Sequence, residues 1–355
     1  GNSNTTTGTH FLGTTDDMPF QIQVNHGRVM RFENPSGSEF PNVIGGYYEN
    51  HTEPGVYGAT IAGGGDMGRP NVAGAIQVFV GGGSGNVISN GAHTAGYSVI
   101  GGGRDNRGGG SYAAIGGGQE NRIEYRGDWG VINGGRENVI GTNEYWTSEA
   151  SVIGGGRYNR IYGYDSVIGG GKTNLIRYTG LYGVIGGGYD NELHTGSGST
   201  IGGGLHNYIE QPHATIGGGA YNDVNDVGGM EYAGATIGGG EYNTAGSMGA
   251  TVGGGSRNSA SGLGSTVSGG TNNIASGTAT AATIGGGRRN RADGSYAAIG
   301  GGDSNAASNF YCTVAGGTGN SASDPSSTVG GGERNTARGL TGSGAATVGG
   351  GKYNT

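Results

Sequence analysis

The residues Gly169 to Thr173 read "GGGKT", the tail of a phosphate-cradling loop. That loop needs glycine five positions before its final Gly-Lys-Thr, so that backbone amides can curl around phosphate oxygens. The required position is Ser166, and the equivalents of Lys172 and Thr173 elsewhere are Arg-Asp, Gln-Glu, Glu-Tyr or Arg-Arg. A nucleotide site is therefore not expected, and no cofactor is. Calcium requires several oxygen ligands, mostly carboxylates. The recurring polar residue here is neutral asparagine, which argues against a calcium ladder. The seven histidines show no paired metal-ligand spacing. Cys312 stands where neighbouring segments carry Ala or Ser, as a small core filler would.

Paired carboxylates offer hydrolytic chemistry if two lie about 5–10 Å apart across a glycosidic bond. Glu144 and Glu149 share one variable segment, and Asp223, Asp226 and Glu231 another. Acidic residues in solvated loops are common, so a carbohydrate-active enzyme is the third reading and a non-enzyme is expected. Aromatics are the stronger surface signal. Tyr125, Trp129, Tyr145, Trp146, Tyr162, Tyr164, Tyr178 and Tyr182 concentrate in the middle of the chain and include both tryptophans. They read as loop packing or as a contact surface for a neighbouring copy or a glycan, because Tyr and Trp suit interfaces.

The elements that position these residues follow from a repeat. Of 355 residues, 89 are glycine, about a quarter of the chain against a usual ~7%. Collagen would need glycine at every third position, and no triplet period exists. No apolar stripe has helical spacing, so almost no helix is expected. Gly-rich triplets begin at 45, 63, 81, 101, 116, 133, 154, 169, 186, 202, 217, 238, 253, 268, 285, 300, 315, 330 and 349, nineteen copies in all. Eight of the eighteen intervals are 15 residues, and the rest run from 16 to 21. The residue before the triplet is Ile or Val in every copy except Ala62. The residue five after its start is Asn in every copy except Gly68. A further apolar slot follows two residues past that Asn.

Segments such as Ala235-Thr236-Ile237 put their first and third side chains on one face of a strand. Each unit thus reads as two short strands and two bends, one coil of an all-β solenoid. Coils stack about 4.8 Å apart, so nineteen imply a thin rod on the order of 90 Å long. Asn106, Asn121, Asn138, Asn159, Asn174, Asn191, Asn207, Asn222, Asn243 and Asn258 are expected to form a structural ladder. Asn tolerates left-handed backbone and bonds its own turn, and identical Asn residues in register bond one another. The triplet reads both as a bend needing positive φ and as a bare strip that another backbone can approach. Insertions are expected only between the Asn and the next triplet.

Residues 1–42 lie outside the repeat and are expected to form a cap or docking segment, with the solenoid occupying 43–355. Within the cap, "PFQIQVNHGRVMRFE" alternates apolar and polar residues about "NHG", a hairpin pattern. The sequence stops within a repeat, at "TVGGGKYNT". This gives the expectation that the cap of one subunit covers the open end of the next, head to tail. Net charge is −7 with no basic patch, so nucleic acid is not an expected partner. No apolar run approaches the ~20 residues of a membrane-spanning helix, so membrane insertion is not expected either.

Units such as "STVSGGTNNIASG" and "ATVGGGSRNSASG" resemble the Gly-rich repeats of large bacterial surface proteins and phage tail-fibre-like proteins. "GTTDDMPFQIQVNHGRVMRFE" resembles the segment that often precedes them. More loosely, the repeats are similar to the β-roll heads of trimeric autotransporter adhesins (YadA-like). The resemblance implies an extracellular or cell-surface location. Expected partners are copies of the chain itself, head to tail and laterally, or glycans. The leading functional expectation is a structural protein forming fibres or a surface layer, and the second is a trimeric adhesin or tail-fibre shaft.

Overall fold

A computed structural model describes residues 12–35, 38–89, 96–141, 148–177, 179–195, 197–225, 234–276, 279–339 and 344–355. Among them there is no helix. The chain falls into two compact units, Gly1–Tyr158 and Asn159–Thr355. Each is a β-solenoid whose coils carry one short strand before the glycine triplet and one after the Asn. Seven triplet strands stand in the first unit and twelve in the second; the solenoid has about seventeen turns, close to the nineteen coils expected.

Both strand columns pair in parallel and in register. Ala114 and Ile115 sit opposite Val131 and Ile132, and Arg122 and Ile123 opposite Val139 and Ile140. A one-residue slip would turn every Ile outward, and fully buried Ile115, Ile132 and Ile153 fix the register of one column. Ile123, Ile140, Ile176 and Ile209 do so in the other. From Ala245 onward the second column is alanine, through Ala260, Ala275, Ala292, Ala307, Ala322 and Ala337, and the core thins. Cys312 is buried in the small-residue column, where it fills space like its Ala and Ser neighbours.

The chain opens with a hairpin, β1 (Phe20–Val24) and β2 (Gly27–Glu33). Its turn residues Asn25 and His26 have φ of 49° and 60°, the left-handed pair that two-residue hairpins require. β2 pairs antiparallel with β3 (Asn42–Gly45), the first triplet strand, while among the described residues β1 pairs with β2 alone. In later coils, amides of the preceding coil bond the carbonyls at the triplet and the Asn. Among the described residues no coil precedes the first, and Arg28 Nη2 takes that place, donating to Tyr47 O at 3.1 Å and Asn50 O at 2.9 Å.

Two expectations change. The left-handed residue of the Asn bend is not the Asn but the residue before it, among them Asp105, Glu120, Tyr158, Thr173 and Tyr221. The Asn side chain bonds the bend from outside it. The exceptions Ala62 and Gly68 have one cause. Ile61, not Ala62, is buried opposite Ile44 and Val80, so that coil's triplet is Ala62-Gly63-Gly64. Its ladder residue is Asn71, which is fully buried. The extra residues of this coil fall between triplet and Asn, where no insertion was expected.

Candidate interaction surface

The ladder is the most repeated polar feature. At Asn121, Nδ2 donates to Gly117 O at 2.9 Å, to Gly135 O of the next coil at 3.0 Å and to Asn106 Oδ1 at 3.2 Å. Its backbone N–H also donates to Asn106 Oδ1, at 3.0 Å. Its own Oδ1 accepts from the backbone and side-chain nitrogens of Asn138, at 3.1 and 3.0 Å. Every buried polar atom of the rung is thus satisfied, as burial demands. The same pattern runs from Asn50 through Asn71 to Asn138 in the first unit, and from Asn159 to Asn354 in the second. The ten predicted rungs all take these positions.

The three glycines of a triplet differ. A Cβ on the first, such as Gly186, would strike the Gly202 carbonyl of the next coil. The third, such as Gly171, has φ of 87°, and a Cβ there would strike Gly188 O and crowd Asn174 Nδ2. The middle glycine faces open space: a Cβ on Gly63 or Gly170 meets nothing within 4 Å. Both readings of the triplet therefore hold, at different positions. Two amides of "GGGKT" are already engaged: Gly169 N–H donates to Ile185 O and Lys172 N–H to Gly188 O, each at 2.9 Å. Lys172 Nζ sits 5.0 Å over the Tyr189 ring.

Aromatic side chains occupy left-handed bends. One bend column lies four residues before each triplet and includes Tyr97, Tyr112 and Trp129 in the first unit, with Tyr182, Tyr296 and Tyr311 in the second. Tyr97 and Tyr112 stack at 5.0 Å and 4°, and Tyr112 and Trp129 at 5.6 Å and 2°. Tyr296 and Tyr311 stack at 5.1 Å and 7°. The other column, just before the Asn, stacks His206, Tyr221 and Tyr242 at 5.0 and 4.8 Å, and Arg257 closes it 5.3 Å from the Tyr242 ring. Backbone bonds hold these pairs in place, as in Tyr112 N–H to Gly96 O and Tyr242 N–H to Ala220 O, both at 3.0 Å.

Of the predicted contact residues, Tyr125 and Trp129 belong to the first unit and are exposed. Tyr162, Tyr164 and Tyr182 belong to the second, where Tyr164 and Tyr182 meet edge to face at 5.9 Å. Tyr145, Trp146 and Tyr178 lie outside the described residues, as do Glu144, Asp226 and Glu231. Glu149 and Asp223 are described, one in each unit. Burial pushes the Asp223 carboxyl up, a hydrogen bond from Asn225 opposes this, and the Glu210 charge adds to it. Beside it the Tyr208 hydroxyl, 2.7 Å from His194 Nδ1, is pushed up to about 12 by burial and then by the charges of Glu210, Glu192 and Asp223. Sequence reasoning missed Tyr97, Tyr112, Tyr221 and Tyr242; counting back four from each triplet, or one from each Asn, finds them.

Among the described residues no helix is long and apolar enough to cross a membrane. No model of a known protein family matches the chain, and no curated protein matches it.

Proposed function

We propose that this is an extracellular structural protein that self-associates through its backbone into fibres or a surface layer, without catalytic activity. The observation that supports this reading best is the outer edge of β1, which among the described residues pairs with β2 alone; Ile22 and Val24 on it are exposed. An exposed apolar strand edge is a template for pairing with another chain. In this reading the hairpin is a docking segment presented by the first coil, and a second copy of the chain supplies its partner. The bare line of middle glycines supplies a second, lateral contact, because it admits another backbone with no side chain between.

The test is to delete residues 1–41 and compare negative-stain images and light-scattering mass with the intact chain. Loss of polymer with retained β structure is the expected result, and undiminished fibres would sink the docking role. The adhesin reading draws support from exposed Tyr125 and Trp129. However, Tyr112 is covered on both faces by Tyr97 and Trp129, and a pyranose stacks on faces rather than edges. Binding on a glycan array would favour the adhesin reading.

A further inference from the structure

Among the described residues, nine tyrosines have left-handed backbone, a conformation in which a bulky residue is an outlier. Glycine, asparagine or aspartate would hold these bends at less cost. Among the described residues three tyrosine pairs stack face to face: Tyr97 with Tyr112, Tyr221 with Tyr242, and Tyr296 with Tyr311. Their rings lie 4.8 to 5.1 Å apart and within 7° of parallel. Each of the six residues is between 41% and 58% exposed, open to a diffusible oxidant. Each pair joins consecutive coils, and the chain's single cysteine leaves it no internal disulfide to do so.

We infer that these three stacked pairs are sites of oxidative tyrosine–tyrosine cross-linking, which staples neighbouring coils when a haem peroxidase and hydrogen peroxide act on the protein. Each phenol gives up one electron and one proton, leaving two phenoxyl radicals. Hydrogen peroxide takes the two electrons and two protons and leaves as two waters. The radicals combine through the ring carbons ortho to oxygen, forming one C–C bond. The two hydrogens on those carbons then move to the oxygens and restore two phenols. The pair loses two hydrogens overall. Stacking matters because it replaces a diffusional encounter of two radicals by one at high effective concentration. Rotation about the side-chain torsions brings the ortho carbons together while the inter-coil backbone bonds stay in place.

The experiment treats the full chain with a haem peroxidase and hydrogen peroxide, then maps dityrosine peptides by mass spectrometry in the unpolymerised and polymerised fractions. Cross-links Tyr97–Tyr112, Tyr221–Tyr242 and Tyr296–Tyr311 within single chains are expected to dominate. Tyr221→Phe keeps the ring and removes one site, so dityrosine fluorescence falls by about one third if the three sites act independently. Tyr242→Phe produces the same loss and guards against a folding defect peculiar to one variant. Dityrosine found mainly between chains, or spread evenly over unstacked exposed tyrosines such as Tyr125, overturns the inference. So does consumption of tyrosine without dityrosine.

Discussion

Replacing Asn222 by alanine removes one interior rung. Its Nδ2 donates to Gly218 O and Gly240 O, both at 2.9 Å, and to Asn207 Oδ1 at 3.1 Å. Its Oδ1 is the acceptor for the Asn243 backbone N–H at 3.1 Å. Two amide hydrogens lose their bonds, at about 1 kcal/mol each, and one buried N–H is orphaned, at about 1–3 kcal/mol. The expected loss is therefore about 4 kcal/mol, concentrated in the coils on either side because repeat proteins couple to nearest neighbours. Native-state hydrogen exchange reads this directly: the Asn243 and Thr244 amides should exchange by roughly three powers of ten faster, since each 1.4 kcal/mol is a factor of ten. Amides around Asn320 should hardly move. Asn222→Asp keeps the acceptor but turns an anionic oxygen toward Gly218 O and Gly240 O. It should be as damaging at neutral pH and partly recover in acid, where the protonated carboxyl donates again. An effect below about 1 kcal/mol, or one spread evenly over all coils, would refute the view that the ladder is structural.

Gly170→Ala should leave folding intact, because its Cβ enters open space, whereas Gly171→Ala should fail to fold or lose several degrees in Tm. Gly170→Leu, folded by circular dichroism yet unable to form lateral assemblies in electron micrographs, is the outcome the bare strip predicts. Arg28→Met should loosen the first coil by about 2 kcal/mol, the worth of bonds to a charged donor, read as faster exchange at Val43 and Gly46 with later coils unchanged. Ile209→Ala should cost about 2–5 kcal/mol by urea unfolding, as for any buried isoleucine. Asp223→Asn should stabilise the second unit at neutral pH. Because burial raises the native carboxyl, the native state binds its proton more tightly, and the charged form penalises folding once the pH passes the ordinary carboxylate range. The gain should fade as the pH falls through that range, as a series of thermal melts would show.

The coil architecture was legible because parallel register repeats the same chemistry at the same place. Ile or Val before the triplet and Asn after it survive every change of interval. The outcome was less legible where the chain slips against its own pattern. At Ala62 the visible "GGG" is offset by one from the structural triplet, so counting from it lands on Ala62 and Gly68 instead of the core residue Ile61 and the rung Asn71. The left-handed bends were hidden because any residue type fills them: Asp105, Glu120, Thr173 and Tyr221 share one conformation and no chemistry. The stack of Tyr97, Tyr112 and Trp129 was hidden by counting direction. Variable insertions follow the Asn, so Tyr112 and Trp129 fall out of register when counted forward and into register when counted back. The hairpin itself follows from the alternating pattern about "NHG", but the role of Arg28 depends on a reach across 19 and 22 residues that no local pattern contains.

The unbroken rungs from Asn159 to Asn354 have a consequence for chain length. Each coil sees only its two neighbours, and the junction before every triplet is nearly the same peptide. Excising Gly285–Ile299 would join Ile284 to Gly300 and recreate a sequence already present, with Asn305 inheriting the bonds that Asn290 makes to Asn273. A chain one turn shorter would satisfy the same rules as the original. Within the repeats, the number of coils is thus a free variable of this fold. Slippage and unequal recombination between near-identical segments can lengthen or shorten it without passing through a misfolded intermediate.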